Sequence, residues 1–228
     1  DEETGEGLSD QELRDEALTI FAAGHETTAN ALAWTWYLLA THPEAKARFH
    51  EEVDRVLQGR IPSADDLQHL PYTRAIFDES LRLYPPAPAV QRKAATSTTV
   101  GGLPLSAGAL ILIGTYNLHR HPAFWPNPEQ FMPERWLDGE RPAARYAYLP
   151  FGAGPRACVG IHFASVEGPL LLALIGRRYD LHLAQERVEP QLMVTLRPKG
   201  GIKMTIAPRQ TPAISSAKQE AKHTSNVS

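Results

Sequence analysis

The chain has a single cysteine, Cys158, and it lies in the run Phe151-Gly152-Ala153-Gly154-Pro155-Arg156-Ala157-Cys158-Val159-Gly160, directly before an apolar stretch of helical texture. An isolated thiol in a globular chain ordinarily behaves as a small buried hydrophobe. The neighbours of Cys158 argue for something else. Gly152 and Gly154 allow backbone conformations closed to other residues and let the chain approach a flat ligand closely, while Pro155 stiffens the turn. A helix beginning at about Cys158 aims the free N–H groups of Val159, Gly160 and Ile161 at the sulfur, and its dipole favours a thiolate there. The run therefore predicts a loop-to-helix junction that binds a metal through sulfur. Zinc shared between Cys158 and His162, one helical turn apart, fits poorly, because structural zinc takes four ligands and the chain has no second thiol.

The charge balance, Lys+Arg 23 against Asp+Glu 26, carries no strong field and argues against a nucleic-acid partner. With 43% hydrophobic and 21% charged residues, the chain falls in the globular class. One cysteine cannot form an internal bridge, and a metal-binding thiolate persists best in a reducing compartment, so the cytoplasm is expected. Residues 17 to 40 are apolar enough to suggest a membrane span, yet His25, Glu26, Thr27, Thr28 and Asn30 sit at their centre, where polar groups in lipid are costly. No membrane span is expected.

Helices dominate the first part of the chain. Ser9 followed by Glu12 is a capping-box pattern, with Leu8 placed as a hydrophobic staple, and predicts a long helix running to about Ala40. A second helix runs from Pro43 to near Leu57, a short turn covers Ser63 to Leu67, and a third helix extends from Pro71 to Leu83 before Pro85 and Pro86 stop it. Then the texture changes. Val90 to Lys93, Thr98 to Val100 and Ala109 to Ile113 read as short strands of one small sheet. His119 to Pro155 is rich in proline and aromatics and has little periodicity, which for a stretch of that length implies a functional reason. Cys158 to Gly176 reads as helix, and Tyr179 to Leu183, Gln191 to Leu196 and Ile202 to Ile206 as closing strands. The tail from Arg209 is polar and expected to be disordered. The fold class is mainly α with small β-sheets (α+β), with residues 1–208 as one unit and 209–228 as the tail.

With these elements in place, the run around Cys158 resembles the haem-binding loop of the cytochromes P-450, matching it at Phe151, Gly152, Gly154, Arg156, Cys158 and Gly160. The resemblance covers about residues 8 to 207 and corresponds to the second half of that fold, from its central I helix onward, so the chain is expected to be a fragment and poorly active alone. It implies haem b (iron protoporphyrin IX) with Cys158 as the proximal ligand of the iron, and Arg156 on a haem propionate, a role suited to a guanidinium. Arg92 is similar in position to the family's second propionate-binding arginine. The run Ala23-Gly24-His25-Glu26-Thr27-Thr28 resembles the family's oxygen-activation motif: Ala23 and Gly24 leave room for O2, and Glu26 and Thr27 relay protons through water. His25 receives no role.

Glu79 and Arg82, three apart on the third helix, with Arg135 of a Pro-Glu-Arg element, resemble the family's buried ionic network beside the cysteine loop. Phe21, Ala22, Ala23, Ala87, Ala89, Val90, Met193 and Val194 correspond to stretches that line its substrate pocket. The resemblance implies a monooxygenase that inserts one oxygen atom from O2 into a small hydrophobic substrate. Its electrons would come from NAD(P)H through a ferredoxin, flavodoxin or flavoprotein reductase, since the chain has no flavin or dinucleotide fingerprint. It leans towards soluble bacterial members acting on fatty acids or other long apolar molecules. A non-catalytic haem carrier, or haem-thiolate isomerase or peroxygenase chemistry, is the alternative; the Glu26-Thr27 pair favours monooxygenation.

Overall fold

The computed structural model describes residues 5, 7–137, 144 and 146–209. Helix α1 spans Asp10–Thr41 and begins as the capping pattern requires: Glu12 N–H donates to Ser9 Oγ at 3.3 Å and Ser9 N–H to Glu12 Oε2 at 2.9 Å. Leu8 and Leu13, the two staple positions, both remain largely exposed. The two halves of α1 differ sharply. Ala31, Trp34, Trp36, Leu38 and Leu39 are buried, whereas Leu13, Leu18, Ile20 and Phe21 are exposed.

Helix α2 (Pro43–Leu57) and helix α3 (Pro71–Leu83) start on prolines at their first turns, where the missing N–H costs nothing. A 3-10 turn, Ala64–His69, joins them and extends slightly beyond the expected one. The core forms where Leu38 and Leu39 of α1, Phe49 and Val53 of α2, Ile76, Phe77 and Leu81 of α3, and Leu172 and Ala173 of a later helix meet. That later helix, α5 (Ile161–Gly176), approaches closely because a side chain at Gly168 would overlap the Phe77 ring and one at Gly176 the Phe49 ring.

The β structure departs from one small sheet. Strand β1 (Val90–Lys93) pairs antiparallel with β4 (Leu110–Ile113), in register Val90↔Ile113, while β2 (Thr98–Val100) pairs separately with β3 (Leu103–Leu105). Strand β3 was legible in principle: Gly101 and Gly102, both at positive φ (57° and 81°), form a tight two-residue hairpin turn of the kind glycine pairs favour. A short helix, α4 (Thr115–Leu118), follows β4. At the far end, β5 (Tyr179–Leu183) pairs with β8 (Met204–Pro208), two residues later than expected. The expected strand Gln191 to Leu196 is two strands, β6 (Pro190–Leu192) and β7 (Leu196–Pro198), which pair with each other across a turn at Met193 to Thr195.

Arg209 belongs with the folded part rather than the tail. Its backbone N–H donates to Arg178 O at 2.7 Å and its guanidinium pairs with Asp54 at 2.7 Å. The rest of the expected tail, 210–228, lies outside the described residues.

Candidate functional site

The site is built outward from Glu79. Its carboxylate is fully buried and accepts five hydrogen bonds. Arg82 Nε and Nη2 form a bidentate pair with it at 2.9 Å each, Arg135 Nε reaches it at 3.0 Å, and Met132 N–H and Trp136 Nε1–H at 2.9 Å. Glu79, Arg82 and Arg135, singled out from the sequence, thus come together. A 3-10 turn, Pro133–Trp136, supplies the Arg135 and Trp136 side chains. Arg82, also fully buried, spends its remaining donors on the carbonyls of His119 (2.8 Å), Pro128 (2.6 Å) and Gln130 (2.9 Å). This explains how the long irregular stretch holds its shape: one guanidinium satisfies three carbonyls that no helix or sheet ladder reaches.

Sequence reasoning missed His119, which carries this order on to the cysteine loop. Leu149 N–H donates to His119 Nε2 at 2.8 Å, so the ring proton sits on Nδ1 and donates to Arg82 O at 3.2 Å. Burial, with the Arg82 and Arg120 cations adding to it, pushes the imidazole pKa down to about 3, in keeping with a neutral ring that accepts on one side and donates on the other. Tyr148 donates to Asp78 O on α3 at 3.0 Å, and burial raises its phenol well above the ordinary range. The chain entering the cysteine loop is therefore pinned at two successive residues.

The loop closes on itself. Cys158 N–H donates to Phe151 O at 2.9 Å, Gly152 N–H to Leu149 O at 3.1 Å and Ala157 N–H to Gly154 O at 3.0 Å. Gly152 and Gly154 have φ of 70° and 74°, values that side chains rarely tolerate. One expectation is corrected: α5 begins at Ile161 with Gly160 as its cap, and a 3-10 turn, Gly154–Arg156, precedes it. The free N–H groups of the first helical turn thus belong to Ile161, His162 and Phe163 instead of Val159 and Gly160. The proline-stiffened loop delays the helix. Cys158 still lies against the helix start, since a side-chain carbon on Gly160 would sit 3.8 Å from Sγ.

The cysteine is exposed, as is Arg156, while Arg92 on β1 is half-buried and donates to Gln91 O at 2.9 Å. On α1, Thr27 Oγ1 donates to Ala23 O at 2.7 Å, the local competition with the helix ladder expected of a mid-helix threonine. Ala23 and Gly24 are exposed, with no heavy atom within 4 Å of a side chain built at Gly24. Of the residues assigned to a pocket, Phe21, Ala22, Ala89, Met193 and Val194 are exposed, and Ala87 and Val90 half-buried. Thr195, beside the last pair, was not anticipated: it donates to Glu26 Oε1 at 2.6 Å.

These features fit a planar, metal-bearing, largely apolar group. A single sulfur donor rises from a glycine loop, and Val159 beside it and Phe163 at the start of α5 leave apolar side chains exposed. Among the described residues no group of His, Cys, Asp and Glu could hold a metal ion by itself, so the donor set is one sulfur.

Comparison with known proteins finds relatives of this chain in both sequence and structure. The chain is 40% identical over 215 residues to Protein LUTEIN DEFICIENT 5, chloroplastic, of Arabidopsis thaliana, covering 92% of the chain and 36% of that protein. It is 46% identical over 180 residues to the cyclooctat-9-en-7-ol 5-monooxygenase of Streptomyces melanosporofaciens, covering 78% of the chain and 39% of that protein. A crystal structure of cytochrome P450DA heme domain superposes with a TM-score of 0.85 at 36% identity, over 92% of the chain and 47% of that structure. The chain thus spans less than half the length of each of these proteins. The family model for Cytochrome P450 matches residues 1–206, and with relatives this similar on both sequence and structure, the chain belongs to the cytochrome P450 family.

Proposed function

We propose that the complete protein carrying this chain is a haem-thiolate monooxygenase, which inserts one oxygen atom from O2 into a small hydrophobic substrate. The observation that carries the reading is the exposed Cys158 in a loop closed by its own N–H on Phe151 O and pinned through His119 to the Glu79 network. Cys158 would ligate the haem iron, Arg156 and Arg92 would meet its propionates, and Phe151, Gly152, Gly154 and Gly160 would lie along its face. Bound there, haem supplies activation of O2, with the thiolate donating electron density that favours O–O cleavage.

The chain's own residues do the rest. Ala23 and Gly24 leave space on α1, and Thr27 gives its hydrogen to Ala23 O, which leaves its oxygen lone pairs as acceptors towards water. Glu26 offers a carboxylate one residue away, so a proton from solvent can reach Thr27 Oγ1 through water. This acid and alcohol pair favours monooxygenation over a carrier or isomerase role. Phe21, Ala22, Ala87, Ala89, Val90, Met193 and Val194 supply an apolar lining suited to a hydrophobic substrate. The monooxygenase relative named above acts, by its name, on cyclooctat-9-en-7-ol, and a carbon-rich substrate of that character is part of the proposal.

Electrons would arrive from NAD(P)H through a separate ferredoxin, flavodoxin or flavoprotein reductase. Residence in the cytoplasm rests on the unpaired thiol, which a reducing compartment preserves. Among the described residues, no helix is long and apolar enough to cross a membrane.

The test is spectroscopic. The reduced carbon monoxide complex of the haem-loaded protein should show the red-shifted Soret band of an anionic sulfur ligand, and Cys158→His should abolish it while haem is retained. An unchanged spectrum in that variant would remove Cys158 as the ligand.

A further inference from the structure

Thr195 lies 169 residues from Glu26 in sequence, yet its hydroxyl hydrogen-bonds the Glu26 carboxylate at 2.6 Å. The hydroxyl has a second partner, Asn30 Nδ2, at 3.4 Å. These two partners dictate its direction: an amide N–H only donates and an ionised carboxylate only accepts, so the one hydroxyl hydrogen points at Glu26. A 2.6 Å O–H···O⁻ contact falls in the charge-assisted range.

Thr195 is also a fixed point. It is buried, Met193 N–H donates to its carbonyl at 3.1 Å, Leu196 N–H donates to Pro86 O at 2.9 Å, and Leu196 O accepts from Trp34 Nε1 at 3.2 Å. Glu26, Asn30 and Trp34 recur every four residues and so form one stripe of α1, onto which the turn between β6 and β7 is fastened by three side chains. Glu26 by contrast is exposed, and without this anchor its side chain would sample several rotamers.

We propose that Thr195 is a positioning residue for oxygen activation: its hydroxyl sets the rotamer of Glu26 and ties that carboxylate to the turn that presents Met193 and Val194. The inference rests on the reading of Glu26 and Thr27 as the proton relay, and it extends that reading to a link between substrate and proton. Val194 is 96% exposed and adjoins Thr195 directly, so a hydrophobic molecule seated on Met193 and Val194 bears on the peptide that carries the hydroxyl. Substrate occupancy and the placement of the proton-delivering carboxylate then become one mechanical unit.

The experiment uses the complete haem-loaded protein with its electron donor, comparing Thr195→Val, Thr195→Ala, Thr195→Ser, Glu26→Ala and the Thr195→Val/Glu26→Ala double variant. Product formed per NAD(P)H consumed is read alongside hydrogen peroxide release and the thermal unfolding midpoint of the haem-free form. Losing one charge-assisted hydrogen bond should lower coupling by about fivefold in Thr195→Val, or in Thr195→Ala where the valine does not fold. Thr195→Ser should restore it. In the Glu26→Ala background Thr195→Val should cost nothing further, and the unfolding midpoints should show the same non-additivity. Uncoupled Glu26→Ala with fully coupled Thr195→Val, or a Thr195→Val loss that persists without Glu26, overturns the positioning role alone. Fully coupled Glu26→Ala overturns the relay reading and this inference together.

Discussion

The Glu79 network and the Cys158 loop lie a short chain of hydrogen bonds apart and are built in opposite ways. Around Glu79 two arginines, a tryptophan indole and a backbone N–H meet the carboxylate, and both Glu79 and Arg82 are fully buried. Around Cys158 the backbone is tightly organised, but the side chains proposed to meet the cofactor, Cys158 and Arg156, are exposed, as are Val159 and Phe163. The contrast separates support from chemistry. Groups that stabilise the loop are satisfied within the chain, whereas groups suited to a cofactor are presented to what lies beyond the chain.

The largest break in this comparison should come from Glu79→Ala. It strands the buried Arg82 cation and the half-buried Arg135 cation and leaves Met132 N–H and Trp136 Nε1–H without their acceptor, so unfolding should become easier by about 3 to 5 kcal/mol. Arg82→Ala and Arg135→Ala should likewise prevent stable haem incorporation. Denaturant melts and haem content measure both effects, and a haem-replete Arg82→Ala protein of normal stability would contradict the role given to the network.

Acid should weaken the same region through His119, and α2 separately through His50, each by a smaller amount. His119 stays neutral in the fold down to about pH 3, and His50, which burial and the Arg209 cation push down, to about 4. In the unfolded chain both titrate near 6.5. The unfolded state therefore binds more protons between those limits: the stability from keeping each ring neutral is fully present above about pH 6.5 and is lost as pH falls towards the folded value. The slope should approach about 1.4 kcal/mol per pH unit per histidine. Unfolding midpoints measured from pH 7 to 4.5 check this, and His119→Gln should flatten the curve.

The smallest effect on folding should come from the loop side. Arg156→Ala removes an exposed side chain and should leave the stability of the haem-free protein within about 0.5 kcal/mol. Retention of haem should fall all the same, as competition with an apo-globin acceptor would show. A large loss of stability in this variant would mean that the loop, like the network, is held by its own side chains.

Much of this was legible because it is local. Helices α2 and α3 begin on the prolines and end on the leucines that the sequence marks, and the capping box at Ser9 sets the start of α1. The cysteine loop announced itself through closely spaced glycines, and Glu79 and Arg82 through helical spacing. The errors also have local causes. Gln191 to Leu196 has strand-like composition, but composition does not reveal that the chain reverses at Met193 to Thr195. The start of α5 shifted to Ile161 because the Gly154–Arg156 turn and the Cys158–Phe151 hydrogen bond occupy residues that apolarity alone assigns to the helix.

By itself, then, the sequence determined helices α1, α2 and α3, the thiol in its glycine loop and the acid and alcohol pair on α1, all written in patterns a few residues long. Tertiary structure decided which groups meet: the three carbonyls on Arg82, the neutral His119 that passes the network's order to Leu149, and Thr195 on Glu26. A hydroxyl or carbonyl gives no sign in sequence of its partner, because hydrogen bonds form between almost any donor and acceptor that packing brings within reach. Only folding chooses among them, by burying the apolar stripes and leaving each polar group to find what lies within about 3 Å.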